Sequence, residues 1–372
     1  MFRTAAMIMI MSMLAGACSK NNGPENPEDN TEQTPGPDGN GSGDQGDQPK
    51  PQITANSWMT AIDDDTKIAM LTIPGTHDAA TSTCAGPGKC QTLTISGQLE
   101  HGVRAFDLRP TMDNNSTLGN IYHSILDTGV SMGDAMEYFD SFLKAHPGEG
   151  IIVIMRYESE RQIFGSIAED NYKTAMKNFL WDNRIYQSRM AAFNKSMTMK
   201  DLRGKILIIS RNDLSPVSTF ETAYTQWSHS NSVGEALQIY GTGGLGRIYV
   251  QDMYSAEKNG NSSEADFLAK KKELVCKLLD ITVPFREYEQ NNWVINYCSG
   301  YAGSSFASDS YAKNAASTNP AALEHIKAHT GKGFTGIVMM DYAGTDTYEV
   351  GGSNFSVSGK SLTEALIMNN FQ

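Results

Sequence analysis

Short apolar runs alternate with stretches of helical potential along most of the chain. Seven runs are rich in β-branched and aliphatic residues: 68–73, 103–108, 151–157, 205–210, 247–251, 293–297 and 336–340. Nearly continuous apolar runs are typical of parallel strands covered on both faces. Helices are predicted between them at 131–144, 172–180, 265–279 and 320–328. The alternation predicts an α/β fold, either a closed barrel or an open doubly wound sheet.

Polar and ionisable residues follow nearly every predicted strand. They are His77 and Asp78, Asp107 and Arg109, His123, Arg156 and Glu158, Arg211, Asp252 and Tyr254, and Asp341. In a barrel the carboxyl ends of the strands converge on one rim, where active sites of this fold lie. An open sheet would spread the same residues along an edge. The pattern therefore favours the barrel.

A glycine-rich segment at 241–246 is the one competing motif. It precedes a predicted strand, whereas a dinucleotide-binding loop follows a strand and opens a helix. We therefore interpret it as a loop without a phosphate-binding role.

The beginning of the chain has the pattern of an export signal. Arg3 is followed by an apolar run at 5–17 that is too short to span a bilayer and ends in small residues before Cys18. We expect residues 1–18 to be a lipoprotein signal ending at a lipidated Cys18. Ordinary signal cleavage with an incidental cysteine is the alternative.

Residues 19–52 are rich in Asn, Pro, Gly, Asp and Gln and contain almost no apolar side chain. Such a segment cannot bury enough surface to offset the entropy of ordering. We expect a disordered acidic linker there, and a single folded domain at 53–372. The protein is then exported and lipid-anchored, in the bacterial periplasm or on the cell surface.

The chain carries a net negative charge. Of 372 residues, 30 are Lys or Arg and 42 are Asp or Glu, which gives a net charge of −12. Nucleic-acid binding calls for a basic face, so no nucleic-acid partner is expected. We expect a monomer.

Four cysteines lie in the predicted domain: Cys84, Cys90, Cys276 and Cys298. An exported protein can form disulfides. The short separation of Cys84 and Cys90 favours a disulfide that closes one loop, and four unpaired buried thiols are the alternative. A zinc site formed by these cysteines is not expected, because their spacing is unusual for zinc and no Cys-x-x-Cys pair occurs.

Seven segments in order resemble the bacterial phosphatidylinositol-specific phospholipases C. They are Trp58-Met59, Ile73-Pro-Gly-Thr-His-Asp78, Gln98-Leu99, Gly102-Val-Arg-Ala-Phe-Asp-Leu-Arg109, Arg203-Gly-Lys-Ile-Leu207, Val250-Gln-Asp-Met-Tyr254 and Val338-Met-Met-Asp-Tyr342. The resemblance extends from Trp58 to the C-terminus. It implies an imperfect (β/α)8 TIM-type barrel and cleavage of phosphatidylinositol to diacylglycerol and cyclic inositol 1,2-phosphate.

The resemblance also implies a role for each matching residue. His77 is the general base for the inositol 2-hydroxyl, Asp341 orients it, and His123 is the general acid, assisted by Asp78. Arg109 is implied to contact the phosphate, and Asp107 lies in the same motif and is counted with the substrate-binding residues. The residues implied to bind the inositol ring are Arg156, Arg211, Asp252 and Tyr254, with Glu158 counted beside them. Arg156 stands where the family more often has lysine.

The reaction independently requires these residue types. Attack by a hydroxyl on phosphorus needs a base with a pKa near neutrality, and the leaving alkoxide needs an acid on the opposite side. A guanidinium meets the charge that accumulates on the phosphoryl oxygens. Because Arg109 stands where calcium-dependent relatives place metal ligands, we expect no metal and no other cofactor.

Three other functions fit parts of this pattern. A glycerophosphodiester phosphodiesterase shares the barrel and the bond type but needs a carboxylate metal site. A non-catalytic lipoprotein would bind inositol lipids or glycans at the membrane surface without releasing product. A broader phosphodiesterase would prefer glycosylated or soluble inositol phosphodiesters.

Overall fold

The computed structural model describes residues 53–113, 117–158, 169–214, 222–228, 233–255, 263–285, 289–305, 307–331 and 334–372. The predicted signal, Cys18 and the acidic linker lie outside these residues. Among the described residues, no helix combines the length and the hydropathy needed to cross a membrane.

Fourteen strands and eight α-helices are described. The strands are β1 (Thr72–Thr76), β2 (Ala105–Leu108), β3 (Pro110–Met112), β4 (Leu118–His123), β5 (Leu126–Ser131), β6 (Ile151–Met155), β7 (Ile206–Ser210), β8 (Ala223–Tyr224), β9 (Ala236–Ile239), β10 (Gly246–Gln251), β11 (Asn292–Tyr297), β12 (Gly336–Met340), β13 (Thr347–Val350) and β14 (Ser353–Ser356). The helices are α1 (Ile95–Glu100), α2 (Met132–Ala145), α3 (Glu169–Met176), α4 (Arg184–Gln187), α5 (Met199–Leu202), α6 (Glu264–Thr282), α7 (Ser310–Ala328) and α8 (Gly359–Met368).

Nine strands form one sheet in the order β8-β7-β6-β2-β1-β12-β11-β10-β9. Neighbours are parallel except β9 and β10, which are antiparallel. The two edges meet where Tyr224 and Tyr240 exchange a pair of backbone hydrogen bonds of 2.9 Å each. Since one such bridge closes the sheet, the predicted imperfect barrel is confirmed.

Each central strand buries both of its faces. In β6, Ile152 and Ile154 point into the barrel with Leu207 and Ile209 of β7, while Ile151 and Val153 pack under the outer helices. Successive side chains of a strand point to opposite faces. The continuous apolar runs therefore correspond to strands with two buried faces, as predicted.

Several predicted boundaries were wrong. The first predicted strand begins too early, because Ile68–Met70 forms a 3₁₀ turn and β1 continues through Pro74 and Gly75. The chain turns only after this strand has ended, at Asp78, whose φ is +43°. The helix predicted to start at Pro320 extends over Ser310–Ala328, with Pro320 in its interior. Proline is favoured in the first turn of a helix, but its position in the sequence does not by itself locate the start of the helix.

The predicted Cys84–Cys90 disulfide is not formed, and all four cysteines of the described residues are free thiols. Cys90 is instead fixed by its backbone. Its N–H donates to Thr81 Oγ1 at 3.1 Å, and its carbonyl accepts from the Tyr342 N–H at 2.8 Å. The hydrogen bonds made by the Cys90 main chain, one to a side-chain hydroxyl and one to a backbone N–H, therefore order this loop.

A buried ion pair fixes the amino end of the barrel. Arg104 Nε donates to Glu149 Oε2 at 2.9 Å, and both side chains are 0% exposed. Glu149 also accepts from the Thr60 N–H at 2.7 Å and the Thr60 hydroxyl at 2.8 Å. The pair thus joins the segment before β1 to the starts of β2 and β6.

We expect Glu149→Gln to lower the free energy of unfolding by about 3–5 kcal/mol, because it leaves the Arg104 guanidinium buried without its counter-charge. Chemical denaturation measures the change. Glu273→Gln is the control, since its ion pair with Lys270 lies at the surface and should leave the denaturation midpoint unchanged. Equal midpoints for the wild type and Glu149→Gln would contradict this account.

Candidate active site

The predicted site residues continue the inward-facing rows of the barrel strands. In β2, Ala105 faces the interior, and Asp107 and Arg109 follow it at alternate positions. The same alternation extends Ile154 to Arg156 and Val250 to Asp252. Side chains two apart on a strand share a face. The rim is therefore populated by the residue that follows each inward apolar row.

A cleft of about 320 Å³ lies at this rim. The predicted residues that line it are His77, Asp78, Arg109, His123, Arg156, Glu158, Arg211, Asp252 and Tyr254. Asp107 and Asp341 lie behind the lining, are at most 1% exposed, and contact it through Arg109 and His77. All the predicted site residues within the domain thus come together.

His77 is oriented by a carboxylate from the opposite end of the sequence. Its Nδ1 lies 2.9 Å from Asp341 Oδ1. A carboxylate only accepts hydrogen bonds, so Nδ1 carries the proton in this contact and the Nε2 lone pair of the neutral ring faces the cleft. Arg109 Nη2, which can only donate, lies 3.0 Å from that Nε2. The two contacts select one tautomer of the neutral ring.

Arg109 lies among the carboxylates. Its Nε is 3.1 Å from Asp78 Oδ1, and its Nη2 is 3.1 Å from Asp107 Oδ2. These two carboxylates are buried, with Asp78 4% and Asp107 0% exposed. A buried carboxylate needs a paired charge, so the guanidinium compensates both.

The same charges determine protonation. Burial alone would lower the pKa of His77, but the Asp78 and Asp341 carboxylates outweigh it and raise this pKa to about 9. Burial would raise the pKa of Asp78, yet Arg109 and both histidines lower it to about 2. Burial raises the pKa of Asp341 above its ordinary value in spite of His77. Free of substrate, Asp78 is therefore ionised and His77 is largely protonated at neutral pH. The protonated Nε2 donates to Asp78 Oδ2 at 3.1 Å, whereas the contact of Nε2 with Arg109 belongs to the neutral ring.

His123 lies on the antiparallel sheet β3-β4-β5, which the sequence pattern did not predict. His123 Nδ1 is 3.0 Å from the Gly88 carbonyl, which can only accept. Its Nε2 faces the cleft, 3.0 Å from the Tyr311 hydroxyl and 3.5 Å from Asp78 Oδ2. Asp78 Oδ2 is also 3.1 Å from His77 Nε2. One carboxylate oxygen therefore lies close to the Nε2 atoms of both histidines.

The far wall of the cleft is a charged pair backed by an aromatic ring. Arg211 Nη2 lies 3.3 Å from Asp252 Oδ2, and the Trp227 indole donates to the same oxygen at 2.8 Å. The Arg211 guanidinium lies 4.1 Å above the Trp227 ring. Such stacking favours the cation on a π face. The wall is thereby held rigid while it still lines the cleft.

Two site residues were missed by the sequence reasoning. Tyr311, on α7, forms a hydrogen bond with His123, and Trp227 donates a hydrogen bond to Asp252. Tyr311 lies in a helix that was predicted to start later, and Trp227 lies in a segment with no predicted element. The alternation of apolar and polar residues gives no signal for either.

One group near the cleft has atoms close enough to hold a metal ion: His77, Asp78 and Cys90. Burial raises the pKa of the Cys90 thiol well above its ordinary value, so it stays protonated and is a poor ligand. The Arg109 guanidinium lies within 3.1 Å of Asp78 and would repel a cation there. The donor set fits a metal poorly.

The chain is similar in sequence to known proteins. The family model described as "Phosphatidylinositol-specific phospholipase C, X domain" matches residues 73–212. The predicted resemblance to bacterial phosphatidylinositol-specific phospholipases C is confirmed. A 1-phosphatidylinositol phosphodiesterase from Listeria monocytogenes is 36% identical over 171 residues, which cover 44% of this chain and 51% of that protein. The chain thus spans about half of that relative. A protein of the same name from Staphylococcus aureus is 26% identical over 77% of this chain and 88% of its own length.

Solved structures agree on the fold. A variant of the phosphatidylinositol-specific phospholipase C from S. aureus superposes with a TM-score of 0.67 at 24% identity and covers 86% of this chain and 97% of its own. The enzyme from L. monocytogenes superposes with a TM-score of 0.56 at 22% identity, over 86% of this chain and 100% of its own. The phospholipase C barrel is therefore shared.

We expect NMR titration of the His77 ring to give a pKa near 9 and Asp341→Asn to lower it, because the substitution removes one of the two carboxylates that favour the cation. An unchanged His77 pKa in Asp341→Asn would show that Asp341 does not stabilise the charged ring.

Proposed function

We propose that the protein cleaves phosphatidylinositol-type phosphodiesters by intramolecular attack, releasing diacylglycerol and cyclic inositol 1,2-phosphate. One observation carries the proposal: two imidazole Nε2 atoms face one cleft, with the Arg109 guanidinium and the Asp78 carboxylate between them. A base, an acid and a phosphate-binding cation are the groups that such a transfer requires. The names of the relatives agree with this reaction.

The first half of the reaction uses His77. Its Nε2 takes the proton of the inositol 2-hydroxyl, and the oxygen forms a bond to phosphorus. Asp341, bonded to Nδ1 at 2.9 Å, stabilises the imidazolium that results. Arg109 turns its donors to the phosphoryl oxygens as their charge grows. Because His77 must be neutral to accept the proton, activity rises as pH rises through its pKa.

The second half uses His123. As the bond from phosphorus to the glycerol oxygen breaks, protonated His123 gives its Nε2 proton to that oxygen. Asp78 Oδ2 lies 3.5 Å from that Nε2 and helps to orient the ring. No metal or other cofactor takes part in these two steps, because Arg109 supplies the positive charge at phosphorus.

Substrate orientation follows from the two sides of the cleft. On one side, Arg156, Glu158, Arg211, Asp252 and Tyr254 offer charged and aromatic partners for a ring of hydroxyls. On the other side, Ile125 and Leu126 are 56% and 39% exposed and line the mouth. We assign the inositol ring to the polar wall and the glycerol end of the lipid to the apolar side.

The location of the substrate accords with the predicted organisation of the chain. We propose a monomeric exported protein with a signal at 1–18, a lipid anchor at Cys18, a linker at 19–52 and a catalytic domain at 53–372. A tether of this length leaves the domain free to meet phosphatidylinositol in a membrane surface.

We expect turnover of phosphatidylinositol to survive excess chelator, with the cyclic phosphodiester as the first product in phosphorus NMR. A metal-dependent glycerophosphodiesterase would lose activity and regain it with added calcium, and a binding protein would release no product. Either result would refute the proposed reaction. His77→Ala, assayed in parallel, controls for contaminating phosphodiesterases.

We expect His77→Ala and His123→Ala each to lower turnover about a hundred- to ten-thousand-fold, the range for a positioned base or acid. The activities of the two variants should differ when the substrate has a leaving group that departs readily without being protonated. It needs no acid, so it should partly rescue His123→Ala and leave His77→Ala inactive. Equal rescue of both variants means that the roles are assigned wrongly. Near-ultraviolet circular dichroism checks that each variant is folded.

A further inference from the structure

We propose that Asp280, His325 and His329 form a binding site for a divalent transition-metal ion of the zinc type, at the end of the barrel opposite the cleft. α6, which carries Asp280, ends before β11 begins, and α7, which carries His325, ends before β12 begins. In a parallel barrel, a helix that ends just before a strand does so at the amino ends of the strands. The cluster is therefore remote from the rim that holds His77.

The two histidines are spaced for chelation. His325 and His329 are four residues apart at the end of α7, so they lie on one face. Their rings stack with centroids 4.2 Å apart and 24° between planes. One donor atom from each histidine and one Asp280 oxygen all lie within 4.8 Å of one another. Histidines at this helical spacing on one face are a common pair of zinc ligands.

The hydrogen bonds of the cluster favour ligation. His329 Nδ1 lies 2.8 Å from the His325 carbonyl, which only accepts. The bond fixes the proton on Nδ1 and leaves the Nε2 lone pair of the neutral ring for a metal, as backbone carbonyls do for metal-bound histidines. The ring is thus already in the tautomer that binds.

His325 and Asp280 are held in place by a hydrogen bond to each other. His325 Nε2 lies 2.6 Å from Asp280 Oδ1. Ligands of a tetrahedral zinc ion lie about 3.3 Å apart, so an ion would enter by a small separation of these two atoms as the His325 proton is lost. The Asp280 side chain is 63% exposed, which leaves a path from solvent.

The donor set selects the type of ion. Two imidazoles with one carboxylate suit zinc and its neighbours, whereas calcium and magnesium prefer oxygen ligands alone. Three protein ligands leave the fourth position to water. Since the ligands come from two neighbouring helices, the bound ion would cross-link the ends of α6 and α7 and stabilise the barrel.

The test uses the full chain without an affinity tag, stripped with chelator and then dialysed. We expect zinc in large excess over its Kd to raise Tm by at least about 3 °C. Cobalt should give the visible absorption bands of a tetrahedral or five-coordinate site. His325→Ala and His329→Ala should each lower zinc affinity at least tenfold in calorimetric titration and abolish the rise in Tm.

His101→Ala is the matched control. The His101 Nδ1 also lies 2.8 Å from the carbonyl four residues earlier, but His101 lies on α1's end and not in the cluster. It should bind zinc like the wild type. The proposal is overturned if zinc gives neither binding heat nor a shift in Tm, if His329→Ala binds undiminished, or if His101→Ala loses binding. None of these measurements depends on turnover, so they fail or succeed separately from the proposed reaction.

Discussion

The structure depends on keeping a buried group of carboxylates charged. Asp78, Asp107 and Asp341 are 4%, 0% and 1% exposed at the rim of the barrel. Three buried anions would destabilise any fold unless cations were fixed beside them. Arg109 bonds the first two, and His77 bonds the third. The residues after β1, β2 and β12 therefore each supply part of one connected set of charges at the rim.

The same balance provides the chemistry. A guanidinium needed to neutralise Asp78 and Asp107 already faces the place where a phosphate would enter. In the proposed reaction, the carboxylates that raise the pKa of His77 to about 9 keep its ring protonated in the resting site, so His77 acts as a base only after it has lost that proton. If the proposed reaction holds, stability and catalysis draw on the same ion pairs, and a substitution at Arg109 would impair both.

The sequence predicted what depends on alternation along the chain. Seven barrel strands and the polar residue after most of them follow from apolar runs with two buried faces. The pairing of His77 with Asp341, 264 residues apart, was implied only by the family resemblance. The two-residue strand β8 that helps close the barrel carries too little pattern to predict. Tyr311 and Trp227 act through contacts across elements, which no local periodicity encodes.

The two ends of the barrel carry different demands. At the carboxyl end, charged side chains are held close together and face open space, an arrangement that costs stability. At the amino end, the Arg104–Glu149 pair is fully buried and satisfied, and it ties the segment before β1 to two strands. An ion bound by Asp280, His325 and His329 would add a second link there, between the last two long helices of the barrel. Because such links lie far from the reacting atoms, the chain can strengthen its scaffold at this end without changing the protonation of His77 or the position of Arg109.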